Sequence, residues 1–405
     1  MNHMPRDYST CIDAGKVLAI IPARGGSKRI PRKNLRRLCG LPLIVHTVRH
    51  AQKARLVQRV IVSTEDDEIA GAARSAGAEV VIRPLELATD SSPSEAALLH
   101  VLEVLNRDEQ YMPDLVVFLQ CTSPLRAPDD IDRALETLIS KGADSLFSAF
   151  RSHRSLWRLE GGELRSTSYD HRDRKPRQAM PVELEENGSI YVMRTEILRK
   201  TANRLGGKIA VYEMSLLDSF QVDSEDEWIV IEQLFRLRRR CEAVKALRHI
   251  ELLALDFDGV LTDNRVLVSQ DGSESVWCHR GDGRGISLLK ERGIPVAVIS
   301  QETNLVVEAR CRKLDIPFYQ GCKDKLEVLE RLVSEFQVRI DKVAYIGNDL
   351  SDLECMKAAG VSIAVADASE ESKAQAQFIT EAMGGHGAVR EVIDWIIEGR
   401  TTCPG

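Results

Sequence analysis

Asp256 and Asp258 close a short apolar run, Leu252-Leu253-Ala254-Leu255, and lead into Gly259-Val260-Leu261-Thr262-Asp263. A strand sends alternate residues to one side, so both carboxylates leave its end together. They repel each other unless a cation lies between them, and the pair therefore asks for Mg²⁺. Near the other end of the chain, Ile20-Ile21-Pro22-Ala23 runs into Arg24-Gly25-Gly26-Ser27-Lys28, with Lys33 close behind. Glycines let backbone N–H groups approach an anion and the cations offset its charge, which is what a triphosphate requires. The loop lacks the Gly-Lys-Ser/Thr ending of a Walker motif, and basic glycine loops without a ligand are common, so alone it decides nothing.

Both motifs need strands that stop at one sheet edge. In the first half, β-branched runs at 17–21, 60–63, 80–82, 115–119 and 145–149 alternate with helical patterns at 42–54, 66–76, 94–106 and 128–140. That alternation predicts crossover units, a mainly parallel sheet with helices on both faces, and ligands outside the carboxyl ends of its strands. Arg24, Thr64 to Asp66, Arg83 and Gln120 to Ser123 each follow a strand and can line one crevice. Positions 151–186 break the rhythm with many charges and Gly161-Gly162, as a flap or long excursion would; order returns at 189–193 and 209–212. Positions 225–248 read as one long helix in which a domain boundary falls. Beyond it, strands at 252–255, 296–299, 343–346 and 362–365 alternate with helices near 283–292, 304–314, 323–336 and 352–359. The fold class expected is α/β in two domains, 16–240 and 249–400.

Bulk properties agree. A chain of 405 residues exceeds what one core ordinarily supports. With 43% hydrophobic and 29% charged residues it has ordinary globular composition, and no apolar run reaches the roughly 18 residues of a membrane span. Positions 1–15 show no export signal, so a cytoplasmic protein without membrane contact is expected. Nine scattered cysteines without a Cys-x-x-Cys pair argue against zinc and against a disulfide framework. A net charge of −6 argues against a general nucleic-acid binder.

The first loop opens a longer pattern. Pro22-Ala23-Arg24-x-Gly26-Ser27-Lys28-Arg29-x-Pro31-x-Lys33-Asn34-Leu35 is followed by Arg83-Pro84, Asp90-Ser91-Ser92, Ser94 and Gln120-x-Thr122-Ser123-Pro124-Leu125-Arg126. In this order the motifs resemble the acylneuraminate cytidylyltransferases, the CMP-sialic acid synthetases, over positions 17–233. Arg177-Gln178 and Glu183-Leu184-x-Glu186-Asn187-Gly188-Ser189-Ile190-Tyr191 are similar to the animal two-domain members. The resemblance implies a nucleotidyltransferase-type Rossmann-like sheet with CTP held by Arg24, Ser27, Lys28, Lys33, Asn34, Arg83 and Ser94, Arg24 and Lys33 being catalytic. It implies a sugar acid facing Gln120, Arg177, Gln178 and Asn187. The sugar's anomeric hydroxyl would attack the α-phosphorus of CTP and expel pyrophosphate, with cations and Mg²⁺ stabilising the phosphoryl charge. Family members usually offer two aspartates to the metal; Gln221-Val222-Asp223 leaves one here. Asp223 is then the expected ligand, with weaker metal affinity, unless it and Asp226 only begin the following helix.

The second motif also has companions: Ser300 after a strand, Lys325, and Asn348-Asp349-x-x-Asp352. Together they resemble the haloacid dehalogenase-like phosphatases. That implies Asp256 as nucleophile, Asp258 as general acid and base, Ser300 and Lys325 on the phosphate, and Mg²⁺ held by Asp256, Asp258 through its carbonyl, and Asp349. Many relatives carry Asp where Asn348 stands, which leaves open which of Asn348 and Asp349 ligates. Stretches 258–300 and 300–325 are too short for an inserted cap domain, so a capless Rossmannoid domain with an open catalytic face is expected. Capless relatives, the 3-deoxy-octulosonate 8-phosphate and nonulosonate 9-phosphate phosphatases, are tetramers in which a neighbour covers the site. Arg280-Gly281-Asp282-Gly283 and Gly384-Gly385-x-Gly387 are similar to that group and imply a homotetramer through the C-terminal domain. Glu302 resembles the nine-carbon enzymes; Arg310 and Lys313 share a helix face, either for a substrate carboxylate or as a solvated surface. The combined reading is a bifunctional enzyme that dephosphorylates a nine-carbon sugar 9-phosphate and activates the product as its CMP derivative. N-Acetylneuraminate, the deaminated sugar KDN and a legionaminate-like relative all fit; rival readings are 3-deoxy-octulosonate as the sugar, or a non-catalytic tetramerisation module in the C-terminal half.

Overall fold

The computed structural model describes residues 14–180 and 182–401, and the chain divides into two units between Arg236 and Leu237. In chain order the first unit contains β1 (Val17–Pro22), a short hairpin β2 (Arg37–Leu38) and β3 (Leu41–Pro42), α1 (Leu43–Lys53), β4 (Arg59–Thr64), α2 (Asp67–Ser75), β5 (Glu79–Ile82), α3 (Ser94–Glu109), β6 (Leu115–Leu119) and α4 (Asp130–Ser140). It continues through β7 (Ser145–Ser152), the hairpin β8 (Trp157–Glu160) and β9 (Glu163–Ser166), β10 (Glu183–Arg194), α5 (Thr195–Thr201), β11 (Ile209–Glu213) and α6 (Glu225–Leu247), inside which the division falls.

Among the described residues, seven strands pair in the order β11-β7-β10-β6-β1-β4-β5. All neighbours are parallel except β10, which runs antiparallel to both β6 and β7. Strand periodicity builds the two cores. Val17, Ala19 and Ile21 pack with Ile44, Val48, Ile69 and Leu135 on one face; Leu18 and Ile20 pack with Leu98, Val101, Leu102 and Leu198 on the other. Covered on both faces, the strand reads as continuous apolar sequence. From β1 the chain runs outward to β4 and β5, then returns to β6 on the opposite flank. The crevice of this reversal opens where Arg24 and Gln120 emerge.

The stretch 151–186 is more regular than its sequence. Hairpin β8–β9 turns at Gly161 and Gly162, with φ of 59° and 88°. Trp157, Leu159 and Leu164 are exposed, so no alternation marked the strands. Strand β10 also begins earlier than expected and its register shifts between Glu186 and Tyr191, where Asn187-Gly188 stands.

In the second unit β12 (Leu252–Leu255), the hairpin β13 (Thr262–Val268) and β14 (Glu274–Cys278), α7 (Arg280–Lys290), β15 (Val296–Ile299), α8 (Leu305–Leu314), β16 (Phe318–Tyr319) and α9 (Lys325–Glu335) are followed by six further strands and helices. These are β17 (Val343–Gly347), α10 (Leu353–Ala358), β18 (Val361–Ala364), α11 (Glu370–Gln375), β19 (Phe378–Ile379) and α12 (Ala388–Thr401), in which helices and strands again mostly alternate. The described strands of its main sheet run β16-β15-β12-β17-β18-β19, parallel throughout. Central β12 is completely buried, and again the order reverses beside it. Between β12 and α7 lies only the β13–β14 hairpin, with no inserted cap. No helix among the described residues is long and apolar enough to cross a membrane.

Candidate active sites

In the first unit, the loop after β1, the loop before α3 and the end of β6 enclose a cavity of about 550 Å³. Arg24, Ser27, Lys28, Lys33, Asn34, Arg83, Ser94, Gln120 and Asp223 all line it. Local chemistry sets each one. Asn34 donates from Nδ2 to the Arg24 carbonyl at 2.9 Å and braces the loop. Lys33 Nζ donates to the Val222 carbonyl at 3.0 Å and lies 3.1 Å from Asp223 Oδ1. Ser94 opens α3 behind Pro93, and a helix N-terminus favours an anion.

Arg83 is nearly buried and held by Glu65, whose Oε2 accepts from Nε at 3.2 Å and Nη2 at 2.9 Å. The other oxygen of Glu65 accepts from the Gly25 N–H at 2.7 Å. This corrects one expectation: the Gly25 N–H is engaged within the chain, and Ser27 N–H donates to the Gly25 carbonyl at 3.0 Å. The cradle presents cations more than loop N–H groups. A side chain at 25 would displace Asp66, whose Oδ2 would lie 2.4 Å from a Cβ there. Asp90 pairs with both Arg24, at 2.8 Å, and Lys28. The Lys28 hydrogen bond and then Arg24 hold its carboxyl below the usual range.

Other expected residues sit elsewhere. Asn187 is buried: its Oδ1 accepts from Ser148 Oγ at 2.6 Å and its Nδ2 donates to Ser219 Oγ at 2.8 Å, so it braces β10 and does not line the cavity. Gln221 donates to the Asn187 carbonyl and is also absent from the lining, which leaves Asp223 as the carboxylate of that segment in the cavity. Gln178 is exposed in a short 3-10 turn outside the cavity lining, and the Arg177 side chain lies outside the described residues.

In the second unit, Asp256 follows β12 and is almost buried, its N–H donating to the Ile346 carbonyl of β17 at 3.0 Å. Buried Lys325 at the start of α9 lies 2.9 Å from Asp256 Oδ1 and 2.8 Å from Asp352 Oδ1. Burial pushes the Asp256 carboxyl up and Asp352 adds to this, while Lys325 opposes it. For Lys325 burial works downward, but the two carboxylates outweigh it and keep the ammonium charged. Asp258 is half-buried; burial and then Glu302 push its carboxyl up, as suits a group that must donate a proton. Ser300 is buried, its Oγ accepting from the Glu302 N–H at 3.0 Å.

Asn348 and Asp349 part company here. Asp349 is exposed and its Oδ1 accepts from the Leu350 N–H at 2.7 Å, capping the turn before α10. Asn348 is buried, its Oδ1 has no hydrogen-bond partner, and a Cβ on Gly259 would lie 2.0 Å from its Nδ2. A buried acceptor without a donor keeps lone pairs free for a cation. Among the described residues no three His, Cys, Asp or Glu side chains form a cage by themselves. Glycines finish the site: a Cβ on Gly384 would come within 1.9 Å of the Gly259 carbonyl, and Gly385 N–H donates to the Val260 carbonyl at 3.0 Å. Arg310 Nη2 donates to the His279 carbonyl at 3.4 Å, whereas Lys313 and Glu302 are exposed.

Residues 18–213 match the sequence profile of the cytidylyltransferase family, and residues 315–393 that of haloacid dehalogenase-like hydrolases. Over 389 residues the chain is 34% identical to N-acylneuraminate cytidylyltransferase A of Danio rerio, covering 94% of this chain and 88% of that protein. The chain belongs to the N-acylneuraminate cytidylyltransferase family. It is an enzyme with a nucleotidyltransferase domain and a haloacid dehalogenase-like phosphatase domain. The latter is 37% identical over 157 residues to the 3-deoxy-D-manno-octulosonate 8-phosphate phosphatase of Escherichia coli, covering 38% of this chain and 84% of that one. A solved structure of a haloacid dehalogenase family hydrolase from Streptomyces avermitilis is 42% identical, covers 37% of this chain and 86% of its own, and has a TM-score of 0.37.

Three residues of this family member had no assigned role in the sequence, although each stood in a stretch singled out there. Asp90 lines the cation-rich cavity and Glu65 holds its Arg83; the Asp90-Ser91-Ser92 motif and the position of Glu65 after β4 were the signals. Asp352 is completely buried and accepts from Lys325, Tyr345 and the N–H groups of Asn348 and Asp349. Its capping-box spacing from Asp349 was the available signal.

Proposed function

We propose that the N-terminal domain transfers CMP from CTP to the anomeric hydroxyl of a sialic-acid-type nine-carbon sugar. The observation that carries this is the convergence of Arg24, Lys28, Lys33 and Arg83 on one cavity that also holds Gln120 and Asp223. The hydroxyl oxygen bonds to the α-phosphorus, the bond to the β-phosphate oxygen breaks, pyrophosphate leaves and the hydroxyl proton is lost. Fixed cations stabilise charge as it shifts to the leaving group, the largest contribution such sites make. Mg²⁺ bound near Asp223 would neutralise further phosphate charge. The chain given CTP and N-acetylneuraminate, KDN or a legionaminate should release pyrophosphate; release with 3-deoxy-octulosonate alone would overturn the substrate assignment.

The C-terminal domain we read as a Mg²⁺-dependent phosphatase for the corresponding sugar 9-phosphate. Lys325 bridging Asp256 and Asp352 supports it, since a nucleophilic carboxylate held by a fixed cation is poised for a phosphoryl group. Asp256, the Asp258 carbonyl and Asn348 Oδ1 are the groups that would hold the metal, whose charge would shield the phosphate from the carboxylates. Asp258 would protonate the leaving oxygen and then take the proton from water. The exposed apolar Val266, Leu267, Val268 and Trp277 of the β13–β14 hairpin favour assembly, read here as a homotetramer.

A further inference from the structure

Cations in the transferase cavity fall into two kinds. Arg83 and its partner Glu65 have side chains only 5% and 11% exposed, and two bonds from the guanidinium plus the Gly25 N–H fix that carboxylate in place. Arg24 and Lys28 instead share one carboxylate, Asp90, and the three side chains are 36%, 79% and 45% exposed. Exposed pairs of this kind are weak and exchange readily. Asp90 nevertheless sits on an ordered loop: Thr89 Oγ1 and Ser92 Oγ are 2.7 Å apart, and Ser92 Oγ donates to the Glu86 carbonyl at 2.7 Å. Its carboxylate therefore stays within reach of both cations, and all three groups line the cavity.

We propose that Asp90 is an internal competitor for the triphosphate subsite, which yields Arg24 and Lys28 to an incoming nucleotide and reclaims them from departing pyrophosphate. This rests on the reading of Arg24 and Lys28 as the phosphate cradle. CTP brings a base and a ribose to the rest of the cavity, whereas pyrophosphate has only its charge. A carboxylate competing for the cations takes the same free energy from both ligands, a larger share of the binding for pyrophosphate, and so sets how readily the site clears. Asp90 is a positioning residue in this scheme, acting through the two cations.

The test is calorimetric titration of the full-length chain with inorganic pyrophosphate in EDTA, so that no gain can come through a metal. Losing two exposed ion pairs should tighten binding about two- to thirtyfold in Asp90→Asn. Asp90→Ala, which brings no amide to an oxyanion, should show a gain in the same range; unchanged or weaker binding in either variant overturns the inference. Arg24→Ala separates the two claims. If it weakens pyrophosphate binding while the Asp90 variants match wild type, the competitor role alone falls. If Arg24→Ala binds like wild type, the cradle reading falls and takes this inference with it. Thermal unfolding should be within a degree or two of wild type for the Asp90 variants, because the residue is exposed.

Discussion

At the scale of single residues, both sites depend on carboxylates that fix cations. Replacing Lys325 by Met leaves Asp256 and Asp352 facing each other without compensation, and should cost about 3–5 kcal/mol in the urea unfolding of the C-terminal unit. Adding Asp352→Leu should restore part of that stability without restoring phosphatase turnover. Asp256→Asn, nearly isosteric, should abolish phosphate release while circular dichroism and assembly state stay as in wild type. If turnover survives, Asp256 is not the nucleophile. In the transferase site, Arg83→Lys keeps the charge but loses the two-pronged grip on Glu65. A loss of roughly 1.5–3 kcal/mol corresponds to a fall of about ten- to a hundredfold in kcat/KM for CTP, read from pyrophosphate release. Asn348→Asp should tighten Mg²⁺ binding, measured as metal-induced thermal stabilisation, and Asp349→Asn should leave it unchanged.

Elements matter because they deliver those residues. Helix α3 carries Ser94 to the transferase cavity, and its first turn is tied down by Glu95, whose Oε1 lies 2.6 Å from Arg204 Nε. Burial raises the Glu95 carboxyl, but the Arg204 hydrogen bond outweighs it and leaves it below the ordinary range. A depressed folded-state value means the stabilisation is full above the unfolded value near ~4.3 and is lost as pH falls through the folded one. Glu95→Gln should therefore lower the urea midpoint at pH 7 and converge with wild type in acid; a constant gap across that range would exclude this pair as the source. The glycine tail before α12 works by absence of side chains. Gly384→Ala must push the Gly259 carbonyl, 1.9 Å from the new Cβ, and so should disturb the Asp258 loop and cut phosphatase turnover without touching nucleotidyl transfer.

At the scale of the whole molecule, one mainly parallel and one wholly parallel sheet each place chemistry at the point where strand order reverses, beside β1 in one and β12 in the other. Arg24→Ala should abolish pyrophosphate release but spare phosphatase activity, and Asp256→Asn the converse. Trp277→Asp on the exposed hairpin should lower the assembly mass measured by light scattering if that hairpin joins subunits. Much of this was legible in the chain. Alternating β-branched runs and helical patterns foretold both α/β units, and motifs as dense as Asp256 to Asp263 announced their chemistry, because local backbone preference and close residue spacing are properties of contiguous sequence. Hairpin β8–β9 was not legible, since both faces are exposed and no burial imposes alternation. Neither was the division of labour among neighbours: Asn348 inward and Asp349 outward, Gln221 on the Asn187 carbonyl, Glu65 on Arg83, and Asp90 on Arg24 and Lys28. Those outcomes depend on which distant segment lies across from a side chain and which polar groups burial forces into partnership. Sequence by itself determined the class of chemistry and the sheets that hold it; tertiary packing alone decided which carboxylate meets which cation, because electrostatics acts through space and burial sets its strength.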